Sequence, residues 1–116
     1  QIYGAGNQTR DFIYIDDVAC MAILAGENEI RTNIINVCTG QDRSIRTVAE
    51  TIILMSGSAS KCELLPLPSG RNEAELLRSF GSIERMKENL GFGPITRLED
   101  GLKLMYEDMI SETKTV

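Results

Sequence analysis

The sequence has no histidine and no tryptophan among its 116 residues, and only 5% of the residues are aromatic. Without histidine, the chain alone cannot form a Ser-His-Asp triad, a Cys-His pair or a histidine-ligated metal site. No apolar run approaches the roughly 18 residues of a membrane-spanning helix, and no secretory segment opens the chain. The sequence therefore predicts no membrane span, and it supplies no residues for histidine-based catalysis or a histidine metal site.

Positive charge is also scarce, with 12 Lys and Arg against 17 Asp and Glu and a net charge of −5. Nucleic acids and anionic membranes are poor partners for such a chain, because phosphate binding needs a basic stripe.

The hydrophobic fraction of 42% is typical of a globular protein, and we expect one domain over 1–116. The odd number of cysteines within apolar segments predicts reduced, packed thiols in a cytoplasmic protein, at Cys20, Cys38 and Cys62.

The pattern of apolar residues predicts an α/β chain of about three short strands and four helices. The predicted strands are 12–15, 33–38 and 61–65, and the predicted helices follow Asp16, Ser44, Ser82 and Thr96. Gly57 and Gly91 are expected to end the second and third helices. A capping box of Thr96 and Glu99 is expected to open the last helix, and the tail at 111–116 is expected to fray.

The first predicted helix is apolar on every side between Val18 and Ala25, as in a helix buried by its surroundings. Two strand–helix units also predict parallel strands, which need cover on both faces. Few predicted elements remain to supply that cover, and the sequence starts at Gln1 rather than Met. We therefore expect a fragment whose apolar surfaces lie against a missing part.

Two short motifs favour ordinary structural roles. Gly4-Ala5-Gly6 resembles a phosphate-binding turn, but the dinucleotide fingerprint needs a third glycine where Thr9 stands, and a helix after the turn. An ordinary turn is therefore predicted there. Asp16 and Asp17 offer a carboxylate pair, but at a helix start they are expected to act as caps.

Arginine supplies the main candidate binding groups. Arg10 lies where a glycine-rich loop enters a predicted strand, while Arg71 and Arg78 lie on a long loop that follows two prolines. Converging guanidinium groups suit a diphosphate, because each presents paired donors to phosphate oxygens. Solvated arginines, or arginines paired with acids such as Glu75, are the alternative.

Residues 2–18 resemble a segment of the NAD-dependent epimerase/dehydratase family, the extended short-chain dehydrogenases that act on nucleotide sugars. The segment reads IYGAGNQTRDFIYIDDV, against YGdGxQtRDFvyVdDv in the family. Four further stretches resemble family motifs in the same order, at 36–40, 44–50, 89–94 and 98–102. The resemblance covers nearly the whole chain, and it is to the C-terminal part of these Rossmann-type enzymes.

The resemblance implies a site for a nucleoside diphosphate sugar. Arg10 matches the family arginine on the substrate diphosphate, and Ile2 and Tyr3 match the stretch that lines the nucleobase pocket. Glu75 stands for an aspartate near the ribose, and Arg71 lies one residue upstream of the position where the family has a second phosphate-binding arginine. Arg78 lies on the same loop and completes the candidate set.

The resemblance also implies what this chain does not supply. The NAD(P)-binding Rossmann half and the catalytic Tyr-x-x-x-Lys of the family have no counterpart in these 116 residues. We therefore expect no catalytic residue, metal site or cofactor in this chain alone, with NAD(P) bound by the complete enzyme.

Two alternatives stay open. One is a free-standing, non-catalytic domain descended from such an enzyme, which acts through self-association as a homo-oligomer or through partner binding. The other is a general binder of small anions.

Overall fold

A computed structural model of the protein describes residues 1–30, 34–70, 77–91 and 93–113. Its elements along the chain are β1 (Ile2–Tyr3), β2 (Thr9–Asp11), α1 (Ile15–Glu27), β3 (Asp42–Ser44), α2 (Ile45–Ser56), β4 (Leu64–Leu65), β5 (Arg78–Ser79), α3 (Glu84–Leu90) and α4 (Leu98–Thr113). Within these residues the α/β class and the four predicted helices are confirmed. The strands number five, all of them short, where about three were predicted.

The strands form two small sheets. β1 pairs in parallel with β4, and β2 lies between an antiparallel β3 and a parallel β5. The predicted strand at 12–15 is wrong, because residues 12–14 have no regular structure and α1 already begins at Ile15. The predicted strand at 33–38 is not found over 34–38, and residue 33 lies outside the described residues. The strand predicted at 61–65 is confined to its last two residues.

The local signals for the ends of α2 and α3 hold. The Ser44 hydroxyl accepts the backbone N–H of Thr47 at 3.0 Å, which makes Ser44 the N-cap of α2. Gly57 and Gly91 end α2 and α3 in the left-handed conformation that glycine adopts without strain. The start of α3 differs slightly from the prediction, since the helix begins at Glu84, two residues after Ser82.

The predicted starts of α1 and α4 are corrected. Tyr14, not Asp16, is the N-cap of α1, and it makes no side-chain cap bond. In a capping box at α4, the backbone N–H of Thr96 would bond to the Glu99 carboxylate. Instead it donates to Asp17 Oδ2 at 3.0 Å, and the Asp17 side chain is buried at 5% exposure. Asp17 therefore ties α1 to the segment before α4.

The core lies where α1 meets α3. Met21 and Met86 are fully buried, and Leu90 is 9% exposed beside them. Ile83, which directly precedes α3, packs against this cluster. Thioether side chains fill irregular spaces well, which suits a small core between two short elements.

Much apolar surface is left uncovered. Ile15 and Ile23 of α1 are 68% and 60% exposed, and Met105 and Met109 of α4 are 52% and 65% exposed. The radius of gyration is 17.2 Å, and the molecule measures 48 × 43 × 20 Å. A globular domain of this length has a radius of gyration of about 13 Å. The flat, open shape agrees with the expected lack of cover around α1.

Two further expectations concern cysteines and the tail. All three cysteines are free thiols, but Cys20 is exposed rather than packed, whereas Cys38 is buried. The helix α4 runs to Thr113, and the rest of the predicted fraying tail lies outside the described residues. None of the described helices has the length and apolarity that a bilayer span requires.

Candidate functional site

The glycine-rich turn before β2 is an ordinary turn, as predicted. Gly4 and Gly6 have φ values of +73° and +74°, and the turn leads into β2. A dinucleotide turn instead delivers the pyrophosphate to the N-terminus of a following helix. A side chain at Gly6 would also lie 3.0 Å from Cβ of Arg46, so the glycine is needed for close packing. The geometry of this turn does not fit a bound dinucleotide.

Arg10 occupies the central strand of the three-stranded sheet. It lies opposite Arg43 in β3 and beside Ser79 in β5, so its backbone is held from both sides. The side chain is half-buried, and its Nη1 donates to the carbonyl of Thr9 at 2.6 Å. Arg10 is therefore held at a fixed place within β2, and not in the loop before a strand at 12–15, where the sequence predicted it.

Asp11 connects β2 to two other segments, a role that sequence reasoning missed. Its carboxylate accepts the backbone N–H groups of Thr39 and Gly40, both at 2.9 Å, and the Thr39 hydroxyl. It also accepts the N–H of Gly81 at 3.5 Å. The signal in the sequence is the Thr39-Gly40 turn, whose backbone donors require an acceptor. This carboxylate fixes the strand that carries Arg10.

Arg78 is held by a carboxylate of β3 that the sequence analysis did not consider. Its Nε and Nη2 donate to the two oxygens of Asp42 at 2.8 and 3.2 Å, and its guanidinium lies 4.2 Å from the centre of the Phe80 ring. The Thr9 hydroxyl donates to the same carboxylate. The Arg78 and Thr9 hydrogen bonds lower the pKa of Asp42 to about 2, while the Asp42 hydrogen bond raises the pKa of Arg78. This network joins β2, β3 and β5.

The other candidate residues differ in their placement. The Ile2 side chain is 7% exposed in β1, whereas Tyr3 is 54% exposed and could contact a ligand. Arg71 and Glu75 lie outside the described residues. Among the described residues, no group of three or more Cys, Asp or Glu side chains is placed to hold a metal ion.

A cleft of about 430 Å³ opens beside β3. It is lined by Phe12, by Thr39, Gln41 and Arg43, and by the segment 94–99. The lining mixes polar groups, apolar side chains and guanidinium groups, as ligand clefts commonly do. The sequence did not reveal this cleft, because the segments that line it are far apart in the chain.

Cys38 lies behind the site against the loop that contains Gly81. Its thiol donates to the carbonyl of Ser82 at 3.6 Å, and a side chain at Gly81 would lie 2.6 Å from its sulfur. Burial, followed by the nearby Asp11 carboxylate, raises the pKa of the Cys38 thiol. The thiol is therefore a packing group rather than a reactive one.

Comparison with known proteins places this arrangement in a family. Residues 1–38, which include Arg10 and Asp11, match the model of the NAD dependent epimerase/dehydratase family. The UDP-N-acetyl-alpha-D-glucosaminuronate decarboxylase of Bacillus cytotoxicus is 32% identical over 106 residues, which are 88% of this chain and 32% of that protein.

Solved structures agree with the sequence comparison. The UDP-glucose 4-epimerase of Thermotoga maritima, solved with UDP-glucose, matches 97% of this chain and 36% of its own at a TM-score of 0.83 and 27% identity. The UDP-glucuronic acid 4-epimerase of Bacillus cereus, in complex with UDP-glucuronic acid and NAD, matches 91% of this chain and 33% of its own, with a TM-score of 0.74 and 29% identity. The chain spans about a third of the length of these relatives. It belongs to the NAD-dependent epimerase/dehydratase family.

Proposed function

We propose that the chain is the nucleotide-sugar-binding portion of an NAD(P)-dependent sugar epimerase or dehydratase and is catalytically incomplete by itself. The observation that carries the proposal is the position of Arg10. It lies in the segment that matches the family, on a strand held from both sides. A guanidinium on such a fixed backbone can bind a diphosphate with little loss of conformational freedom.

Binding of the diphosphate would serve the chemistry from a distance. The nucleotide is the part of the substrate that does not react, and its binding energy can orient the sugar toward the reacting centre. Tyr3, which is exposed, is proposed to line the nucleobase pocket with the backbone of Ile2. By resemblance, Arg71 and Glu75 would complete the site, whereas Arg78 would act on the sheet through Asp42.

NAD(P) is proposed to bind a Rossmann half that this chain does not supply. The 116 residues contain no Tyr-x-x-x-Lys, and the Gly4–Gly6 turn leads into a strand rather than a helix. When bound, the cofactor would supply hydride transfer. The role of this chain would be limited to holding the nucleotide, and the exposed apolar side of α1 would lie against the other half.

A self-associating domain without catalysis is the second candidate. The observation that favours it is the exposure of Ile15 and Ile23 on α1, since large exposed apolar surfaces commonly mark interfaces. A second copy of the chain could cover this side instead of a Rossmann half. The two candidate functions differ in the role of Arg10: nucleotide-sugar binding requires Arg10 to bind an anion, whereas self-association does not.

The test is calorimetric titration of the chain with UDP-glucose. We expect measurable binding, and we expect Arg10→Ala to weaken it by about 1.5–3 kcal/mol, the range for hydrogen bonds to charged groups. Arg85→Ala, on the exposed side of α3, is the matched control and should leave the affinity unchanged. Equal affinities of the wild type and Arg10→Ala would refute the assignment. A chain that self-associates but binds no nucleotide sugar would support the second candidate.

A further inference from the structure

We propose that Arg43 is a second phosphate-binding residue of the same site and acts together with Arg10. This inference rests on the proposed function. Arg10 and Arg43 are directly opposite each other in the antiparallel pair of β2 and β3. Residues in that relation point to the same face of the sheet, with their Cβ atoms about 4.5–5.5 Å apart.

Two like charges in this relation destabilise a sheet unless something compensates them. The hydrogen bonds of Arg43 go to neutral acceptors, namely the carbonyl of Asp42 at 3.3 Å and Oε1 of Gln41 at 3.4 Å. Both are long, and no carboxylate among the described residues forms an ion pair with Arg43. Three other arginines do pair with carboxylates, namely Arg46, Arg78 and Arg97.

The position of Arg43 along the chain adds to the positive potential. It directly precedes Ser44, the N-cap of the twelve-residue helix α2, and the first turn of α2 contains no acidic residue. The N-terminal end of a helix carries partial positive charge and stabilises anions. A cation at this place is unfavourable in the free protein and becomes favourable once an anion binds between it and Arg10.

The face that carries the two arginines is open to a ligand. Arg43 lines the cleft of about 430 Å³, together with Thr39 and Gln41, which offer further polar groups. Phe12 lines the same cleft and follows Arg10 by two residues. The cleft therefore includes Arg43 and lies close along the chain to Arg10, with space for a phosphate group and part of a sugar.

Two guanidinium groups carried by directly opposite residues match a ligand with two adjacent phosphates. Each guanidinium can present a pair of donors to one phosphate group. A nucleoside monophosphate offers only one phosphate and would lose most of the contribution of the second arginine. The inference therefore predicts that Arg43 distinguishes diphosphates from monophosphates.

The experiment is calorimetric titration of the 116-residue chain with UDP-glucose and with UMP. We expect Arg43→Gln to weaken UDP-glucose binding by roughly tenfold or more, as for a lost charged hydrogen bond. We expect its effect on UMP to be several-fold smaller. Arg43→Lys keeps the charge but loses the planar pair of donors, so its affinity should fall between those of the wild type and Arg43→Gln.

Arg46→Gln is the matched control, because Arg46 belongs to the same helix end but already pairs with Glu50. Its affinity for UDP-glucose should equal that of the wild type. If Arg10→Ala weakens binding and Arg43→Gln does not, the inference on Arg43 is overturned and the proposed function stands. If neither variant changes the affinity, the proposed function fails as well. Equal losses in Arg43→Gln and Arg46→Gln would reduce the effect to net charge and overturn the inference.

Discussion

Replacement of Gly81 by alanine tests the packing behind the candidate site. The added Cβ would lie 2.6 Å from Sγ and 3.1 Å from Cβ of Cys38. Favourable contacts between such atoms begin near 3.5 Å, so the two segments must separate. Cys38 is 8% exposed and is held against the Ser82 carbonyl, so it has little room to move. Over-packing of this kind costs about 1–3 kcal/mol of the free energy of unfolding.

A double-mutant cycle separates this clash from other effects of the substitution. Cys38→Ala removes the sulfur and leaves only the 3.1 Å contact with Cβ, which a small shift can relieve. Gly81→Ala should therefore cost less in the Cys38→Ala background than in the wild type. We expect a coupling energy of about 1 kcal/mol, within the range for residues in contact. Urea unfolding followed by circular dichroism measures each corner of the cycle.

Gly26→Ala provides the matched control. Gly26 lies near the end of α1, and a Cβ there would meet nothing within 4 Å. Alanine is the better helix former, so this variant should be neutral or more stable by up to about 0.5–1 kcal/mol. The reasoning is refuted if Gly81→Ala unfolds at the same urea concentration as the wild type. It is also refuted if the costs at Gly81 and Cys38 add without coupling.

Two further changes probe the interactions that hold the sheet and α4. The Arg78 hydrogen bond lowers the pKa of Asp42 from 3.8 to about 2, so the ion pair stabilises the fold above pH 4 and its contribution is lost as the pH falls through 2. Urea unfolding over this range should show a weaker pH dependence for Asp42→Asn than for the wild type, and identical curves would contradict the assignment. Asp17→Ala should lower the free energy of unfolding by about 1.5–3 kcal/mol, because the buried carboxylate no longer accepts the Thr96 N–H. Asp17→Asn retains an acceptor and should lose less, and equal stabilities of all three proteins would exclude this role for Asp17.

The sequence predicted well what depends on adjacent residues. Ser44, Gly57 and Gly91 mark helix ends through bonds and backbone angles within one turn, so they could be read directly. The strands at 12–15 and 33–38 were predicted from β-branched and apolar residues. The strand that forms instead is Thr9–Asp11, a polar tripeptide that finds partners on both sides. Strand pairing depends on distant segments, and local propensity does not include them.

In the candidate site, too, the features set by adjacent residues were predicted and the contacts between distant residues were not. Arg10 was identified as a candidate from a continuous motif, but its place within the strand Thr9–Asp11 was not predicted. The partners of Asp11 and Arg78 were not predicted, because they lie far away in the sequence. Asp11 binds Thr39 and Gly40, while Arg78 binds Asp42. Each of these pairs joins segments that meet only in the folded chain.

The three-stranded sheet has a consequence for the order in which the protein acquires its site. Its strands come from Thr9–Asp11, Asp42–Ser44 and Arg78–Ser79, so the sheet closes two long stretches of chain. Contacts between distant residues carry a large entropic cost and form slowly during folding. A nascent chain that ends before Ser79 cannot complete the sheet around Arg10, so the affinity for phosphate that we propose should emerge only after residue 79 has been synthesised.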